Sequence, residues 1–198
     1  MARIKVIRNT YGGTNYLWNG CRYIYNPEKA IAVGGYGVNP YNYIDAYNQM
    51  LTCKEYFFKT SGNPLAHIIV SFGASVTNSA MAWNLSQQCA AYFAPYYQVY
   101  YCLHNKDAGC SNYHTHLLIN SVNYINGNMI STGAETMLPF TNFITTITGE
   151  RSNYYYPTKK KLPLQKVNCT FNENNNQKTY YKIFNKRGCI IYDNTDGL

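Results

Sequence analysis

The sequence predicts an α+β fold on three observations. Runs rich in β-branched and aromatic residues alternate in the manner of strands, as in LAHIIVSF at 65–72 and YQVYYCL at 97–103. Other stretches carry apolar residues at the i, i+4, i+7 spacing of an amphipathic helix. Two pairs of strand-like runs are joined by polar inserts and read as hairpins. A chain of 198 residues suits one domain, 1–198, with a sizeable core.

Along the chain, ARIKVI at 2–7 alternates basic and apolar residues as a short strand and ends in the turn-rich RNTYGGTN. In YLWNGCRYIYNPEKA, Leu17, Cys21 and Ile24 share one helical face, Tyr23 lies beside that stripe, and Asn26-Pro27 ends the helix. VGGYGVN lacks the spacing of a phosphate-binding loop and reads as a flexible connection. Asn39-Pro40 opens the next helix, with Ile44, Tyr47, Leu51 and Phe58 as its buried face and Ser61-Gly62 as its stop. The run 65–72 puts His67, Ile69 and Ser71 on one side and Ile68, Val70 and Phe72 on the other. A helix over 78–94 follows, with Met81, Leu85, Cys89 and Tyr92 as its stripe and Pro95 as its terminator. Beyond the histidine segment, Asn126-Gly127 turns back a short strand and 135–148 is helical. TYYKIF and CIIYDN around NKRG predict a final hairpin.

Histidine is scarce and grouped: three of the four, His104, His114 and His116, fall in YQVYYCLHNKDAGCSNYHTHLLIN at 97–120. Strands at about 97–103 and 113–122 flank its polar insert. Paired as an antiparallel hairpin, they bring His104 to His114 at the mouth of the loop. His116, two residues on, shares a face with His114, Leu118 and Asn120. Three neutral imidazoles with open positions predict a divalent metal site of the catalytic kind. Asp107, the only carboxylate of the loop, could orient an imidazole or act as a base; Cys110 is not needed as a ligand.

The formal charge is +8, from 17 basic and 9 acidic residues, which favours a polyanionic partner. Tyrosine is over-represented at 22 residues, and its rings can stack on unpaired bases. RSNYYYPTKKKLPLQK at 151–166 reads as a mobile basic, aromatic loop in which Tyr155, Lys159, Lys160 and Lys161 would meet single-stranded nucleic acid. Seven cysteines, odd in number and without a C-x-x-C pair, indicate a reducing compartment. Neither a signal peptide nor a membrane span is visible, so a cytoplasmic protein without membrane insertion is expected.

Together these features suggest phosphodiester transesterification. A metal draws charge from the non-bridging oxygens, a tyrosine oxygen attacks phosphorus and a 3′-hydroxyl leaves. The resulting phosphotyrosine resembles the diester it replaces, so the step is nearly neutral and suits strand transfer.

Read in order, RYIYNPEKA, HIIVSF, and His104 followed by Asp107 and NYHTHLLINSVN resemble the three motifs of the MOBP class of conjugative and mobilisation relaxases, in the HUH endonuclease superfamily. The resemblance spans about 20–127. It implies a central antiparallel sheet flanked by helices, a relaxase-like palm, with Mg²⁺ or Mn²⁺ as the working ion. It also implies site- and strand-specific nicking of single-stranded DNA at a transfer origin, with accessory relaxosome proteins and a coupling protein as partners. By that likeness Tyr23, in Y-I-x-N-P-E-K, is the nucleophile that forms a 5′-phosphotyrosine link. Lys29 of the same motif and Asn120 contact DNA, Ser71 helps hold DNA near the cut, and His104, His114 and His116 hold the metal. Thr115 departs from the bulky residue usual between the histidines. Tyr25, about 200° round the helix from Tyr23, is the alternative nucleophile.

Two other readings remain open. A rolling-circle replication initiator or HUH transposase would carry its tyrosine after the histidine pair, where Tyr156 stands before Pro157-Thr158-Lys159. A non-catalytic module would bind single strands and form no covalent product.

Overall fold

The computed structural model describes residues 1–7, 15–104, 112–155, 181–184 and 190–193. Contacts divide the chain into two units, Met1–Tyr156 and Pro157–Leu198. In the first unit the order is β1 (Ala2–Ile7), α1 (Tyr16–Ile24), β2 (Ala30–Tyr36), α2 (Tyr43–Tyr56), β3 (Leu65–Ser71), α3 (Ser79–Ala91), β4 (Tyr97–His104), β5 (His114–Asn123), α4 (Ala134–Thr148) and β6 (Ser152–Tyr155). The described residues of the second unit form the expected hairpin, β7 (Tyr181–Phe184) against β8 (Ile190–Asp193).

Six strands make one sheet in the order β2-β4-β5-β3-β1-β6. The α+β fold expected from the sequence is present, and its sheet is antiparallel at every pairing but one. β6 runs parallel to β1 because α4 carries the chain back before it joins the edge.

The most apolar strands lie in the middle, and β5 is buried along its whole length. Alternation then divides its side chains between two cores. Leu117 and Ile119 join Ile68, Val70, Phe72 and Ile4 beneath α3 and α4, whose Leu85, Cys89, Phe140 and Ile144 close that face. Leu118, Leu65, Tyr100 and Cys102 face the other way, under Leu17, Cys21 and Ile24 of α1 and Ala46 and Met50 of α2. Burying each such side chain contributes about 1.5–3 kcal/mol, which makes the two-sided sheet the principal source of stability.

Close packing sets the height of α1 above the sheet. A β-carbon on Gly20 would stand 2.9 Å from Leu118 Cδ2, so only glycine lets the helix come this near. Trp18 then fixes α1 against α2, its ring centroid 5.3 Å from that of Tyr43 and 5.1 Å from that of Tyr47.

Several boundaries and faces differ from expectation. The glycine-rich segment is not a flexible connection; its first part is edge strand β2, paired with β4. Gly34 lies directly under Tyr101, where a β-carbon would meet the ring at 2.3 Å, so glycine here makes room for an aromatic side chain. Helix α2 is capped by Asn42, whose side chain accepts from the Ile44 N–H at 2.9 Å, and not opened by Asn39-Pro40. Its buried positions are Ala46, Met50 and Lys54, while Ile44 is 42% and Phe58 92% exposed. A small alanine and a lysine stem carry little weight in an apolar pattern, which is why the exposed Ile44 and Phe58 outweighed them.

The face of α3 is likewise rotated: Ala82, Leu85, Ser86, Cys89 and Ala90 are buried and Met81 is exposed. After β5, Gly127 makes its turn at φ +73°, but the returning segment contributes a single bridge, Val122 to Met129, rather than a strand. Residues 152–155 of the expected mobile loop form β6; 156–166 lie outside the described residues.

Candidate functional site

Register brings the histidines together as expected. His104 pairs directly with His114 and Cys102 with His116, so the three imidazoles rise from two adjacent strands on the α1 face. Their centroids are 5.3 Å (His104–His114), 4.4 Å (His104–His116) and 5.2 Å (His114–His116) apart. One ring nitrogen from each comes within 4.8 Å of the others, and all three residues are buried.

Each ring has a second nitrogen, and at His114 and His116 a protein group lies against it. His114 Nδ1 lies 3.2 Å from the Asn112 carbonyl oxygen. His116 Nδ1 lies 2.9 Å from Nε2 of His67, itself buried on β3. Those contacts leave Nε2 of His114 and of His116 for an ion. Burial foremost, and then the neighbouring His104, hold His67 down at about 4. Burial, reinforced by His67, His104, His114 and Lys29, keeps His116 far below the usual imidazole range. Near neutral pH both rings are therefore uncharged, the form that carries a lone pair.

This donor set fits a divalent ion. Three imidazole nitrogens in one cluster suit a borderline first-row metal better than Mg²⁺, which prefers oxygen.

Tyr23 stands over the cluster. It is in the last turn of α1, three residues beyond Gly20, and its ring centroid is 5.2 Å from that of His116 and 5.6 Å from that of His104. Asn26 ends the helix as expected, its side chain accepting from the Glu28 N–H at 3.0 Å. The turn carries Lys29 back until its Nζ is 5.7 Å from the centre of the Tyr23 ring. Tyr25 points elsewhere, 6.0 Å from the Tyr43 ring. Ser71 is in register with His114 on the neighbouring strand.

A cleft of about 1210 Å³ opens here, lined by Tyr23, Lys29, Ser71, His104, His114 and His116 among others.

Asn120 does not belong to this group. It is fully buried, and its amide donates to the Met50 carbonyl at 3.0 Å and to Gln98 Oε1 at 2.8 Å. The side chain ties α2, β4 and β5 together. Tyr155 is 65% exposed on β6. Asp107, Lys159, Lys160 and Lys161 lie outside the described residues.

The sequence reading passed over His67 as a site residue. Its only signal was the alternation in HIIVSF that puts it on the side of Ser71.

Compared with known protein families, residues 23–151 match the relaxase family described as MobA/VirD2-like, nuclease domain. No curated protein matches the chain. The match covers well over half of the 198 residues, and the chain belongs to this family of DNA-nicking enzymes that act on single strands. Relaxases are metal-dependent, and the histidine triad could hold the ion. Among the described residues no helix is long and apolar enough to cross a membrane.

Proposed function

We propose that the protein nicks one strand of a transfer origin by transesterification at Tyr23, for mobilisation of a plasmid or integrative element. The observation that carries this is the position of the Tyr23 ring against His116 and His104, while Tyr25 packs on Tyr43. The Tyr23 oxygen bonds to phosphorus, the P–O3′ bond breaks, the phenolic proton passes to a base and the departing 3′-oxygen takes up a proton. Lys29, its Nζ 5.7 Å from the centre of the Tyr23 ring, brings a positive charge to the place where the phosphate would lie. Ser71 beside His114 offers a hydroxyl to the strand being cut. His104, His114 and His116 would hold a divalent ion, Mn²⁺ being the better match, and that ion would supply Lewis-acid polarisation of the scissile phosphate.

Asp107 is the sequence's candidate for the base. Accessory relaxosome proteins and a coupling protein are the expected partners. The four described free cysteines accord with a reducing, cytoplasmic setting.

The test incubates the protein with Mn²⁺ and labelled single strands tiling the transfer origin, followed by denaturing gels. A covalent adduct that persists in Tyr25→Phe and disappears in Tyr23→Phe is expected. Loss of the adduct in Tyr25→Phe alone would move the nucleophile. Binding without an adduct under any divalent ion would replace the enzyme by a binding module.

A further inference from the structure

The alternating basic strand at the start of the chain has no role in the chemistry above, yet the sheet aligns it with the site. Residues paired across neighbouring strands project to the same side. One row therefore runs from His104 through His114 and Ser71 to Arg3 and Asn153. The next runs from His116 through Ile69 to Lys5 and Tyr155. Ala2, Ile4 and Val6 point into the core under α3 and α4, which turns Arg3 and Lys5 to the α1 face.

Around the histidines that face is covered, but at β1 and β6 the side chains Arg3, Lys5, Asn153 and Tyr155 are exposed. All four line the same cleft as Tyr23 and the triad, and no Asp or Glu is among its described lining residues. The one ion pair among the described residues joins the Met1 amino group to Glu150, so neither cation is neutralised by a carboxylate there.

We infer that Arg3, Lys5, Asn153 and Tyr155 form a track that holds the single strand leading into the cleavage site. This rests on the relaxase reading and assigns that substrate its path. Arg3 and Lys5 bind consecutive phosphates, Tyr155 stacks on a base and Asn153 donates a hydrogen bond to the backbone. From β5 to β6 is three strand spacings, about 14 Å, the length of about four stacked nucleotides.

The test uses the full chain carrying Tyr23→Phe, so that binding is read without cleavage. Anisotropy of labelled mixed-sequence single-stranded DNA is measured over a range of NaCl concentrations. Arg3→Gln with Lys5→Gln is expected to lower the slope of log K against log salt by about 1.4, or 0.7 for each phosphate contact. Tyr155→Ala is expected to weaken binding about 5- to 150-fold with the slope unchanged. Asn153→Lys adds a cation to the track and should steepen the slope by about 0.7, a gain that misfolding could not produce.

A second cleft on the far side of Tyr23, lined by Arg22, Tyr25 and Tyr43, provides the contrast. If Arg22→Gln lowers the slope while the Arg3 and Lys5 variants and Asn153→Lys leave it unchanged, the track is refuted and the relaxase reading survives. If the parent binds no single-stranded DNA at any salt concentration, the relaxase reading falls and the track with it.

Discussion

A metal-binding imidazole has one nitrogen for the ion and one for the protein, and the second decides how firmly the ring is aimed. At His116 that second contact is His67, 2.9 Å away and buried on the adjacent strand. If the proton sits on His116 Nδ1 and His67 accepts it, His116 Nε2 keeps its lone pair. Replacing His67 by alanine should weaken Mn²⁺ binding about 10- to 100-fold, and His67→Gln, whose amide oxygen can accept the same proton, should recover part of the loss. Calorimetric titration with Mn²⁺ decides it; equal affinities in all three proteins would leave the His67 contact without a function. The histidine cluster itself was legible from H-x-H and strand alternation, because both depend only on local geometry. The His67 contact was not, since it depends on how β3 and β5 register. The surroundings of Asn120 were hidden for the same reason: its motif context is local, whereas its burial beside Met50 and Gln98 is not.

At the scale of elements, composition misled where a neighbour decided the outcome. A glycine-rich stretch ordinarily weakens a strand, yet β2 forms because β4 offers it a full ladder and Tyr101 needs the space above Gly34. That ring stacks on Trp83 at 5.3 Å and on Tyr36 at 5.9 Å, so it cannot yield without disturbing both. Gly34→Ala should accordingly destabilise the protein by about 1–3 kcal/mol through overpacking. The shift in urea midpoint measures this. Mn²⁺ affinity should stay unchanged, because Gly34 faces the opposite core from the histidines; a stable variant would mean that Tyr101 can move aside. In α4 the helix forms despite five threonines, four of whose hydroxyls bond back to carbonyls four residues earlier, as Thr141 does to Met137 at 2.7 Å.

Over the whole molecule, the site joins elements far apart in sequence: Tyr23 from α1, Ser71 and His67 from β3, and the triad from β4 and β5. An unfolded chain cannot present that cluster, so an ion bound there would couple to folding. Mn²⁺ at a hundred times its dissociation constant should stabilise the fold by about 2.7 kcal/mol. For a chain of this size that raises Tm by about 5–11 °C. Thermal melts with Mn²⁺ and with chelator would show the difference, and His114→Ala should abolish it. Identical melts for the parent with and without Mn²⁺ would mean that the triad holds no ion. The net charge of +8 gives the molecule a general attraction for DNA, but where that charge acts depends on which strands leave their outer face uncovered.

The sequence by itself determined the α+β class, most of the elements and the grouping of the histidine triad. These follow from periodicities of two and of 3.6 residues and from spacing within one hairpin or one helix turn, all of which the local chain imposes. Only the tertiary structure decided that His67 backs His116, that Asn120 ties α2, β4 and β5 together, that the glycine segment is a strand, and that Arg3 and Lys5 share rows with the histidines. Each of these is a relation between strands distant in sequence, and sheet order and register, which set such relations, are collective outcomes of packing both faces at once.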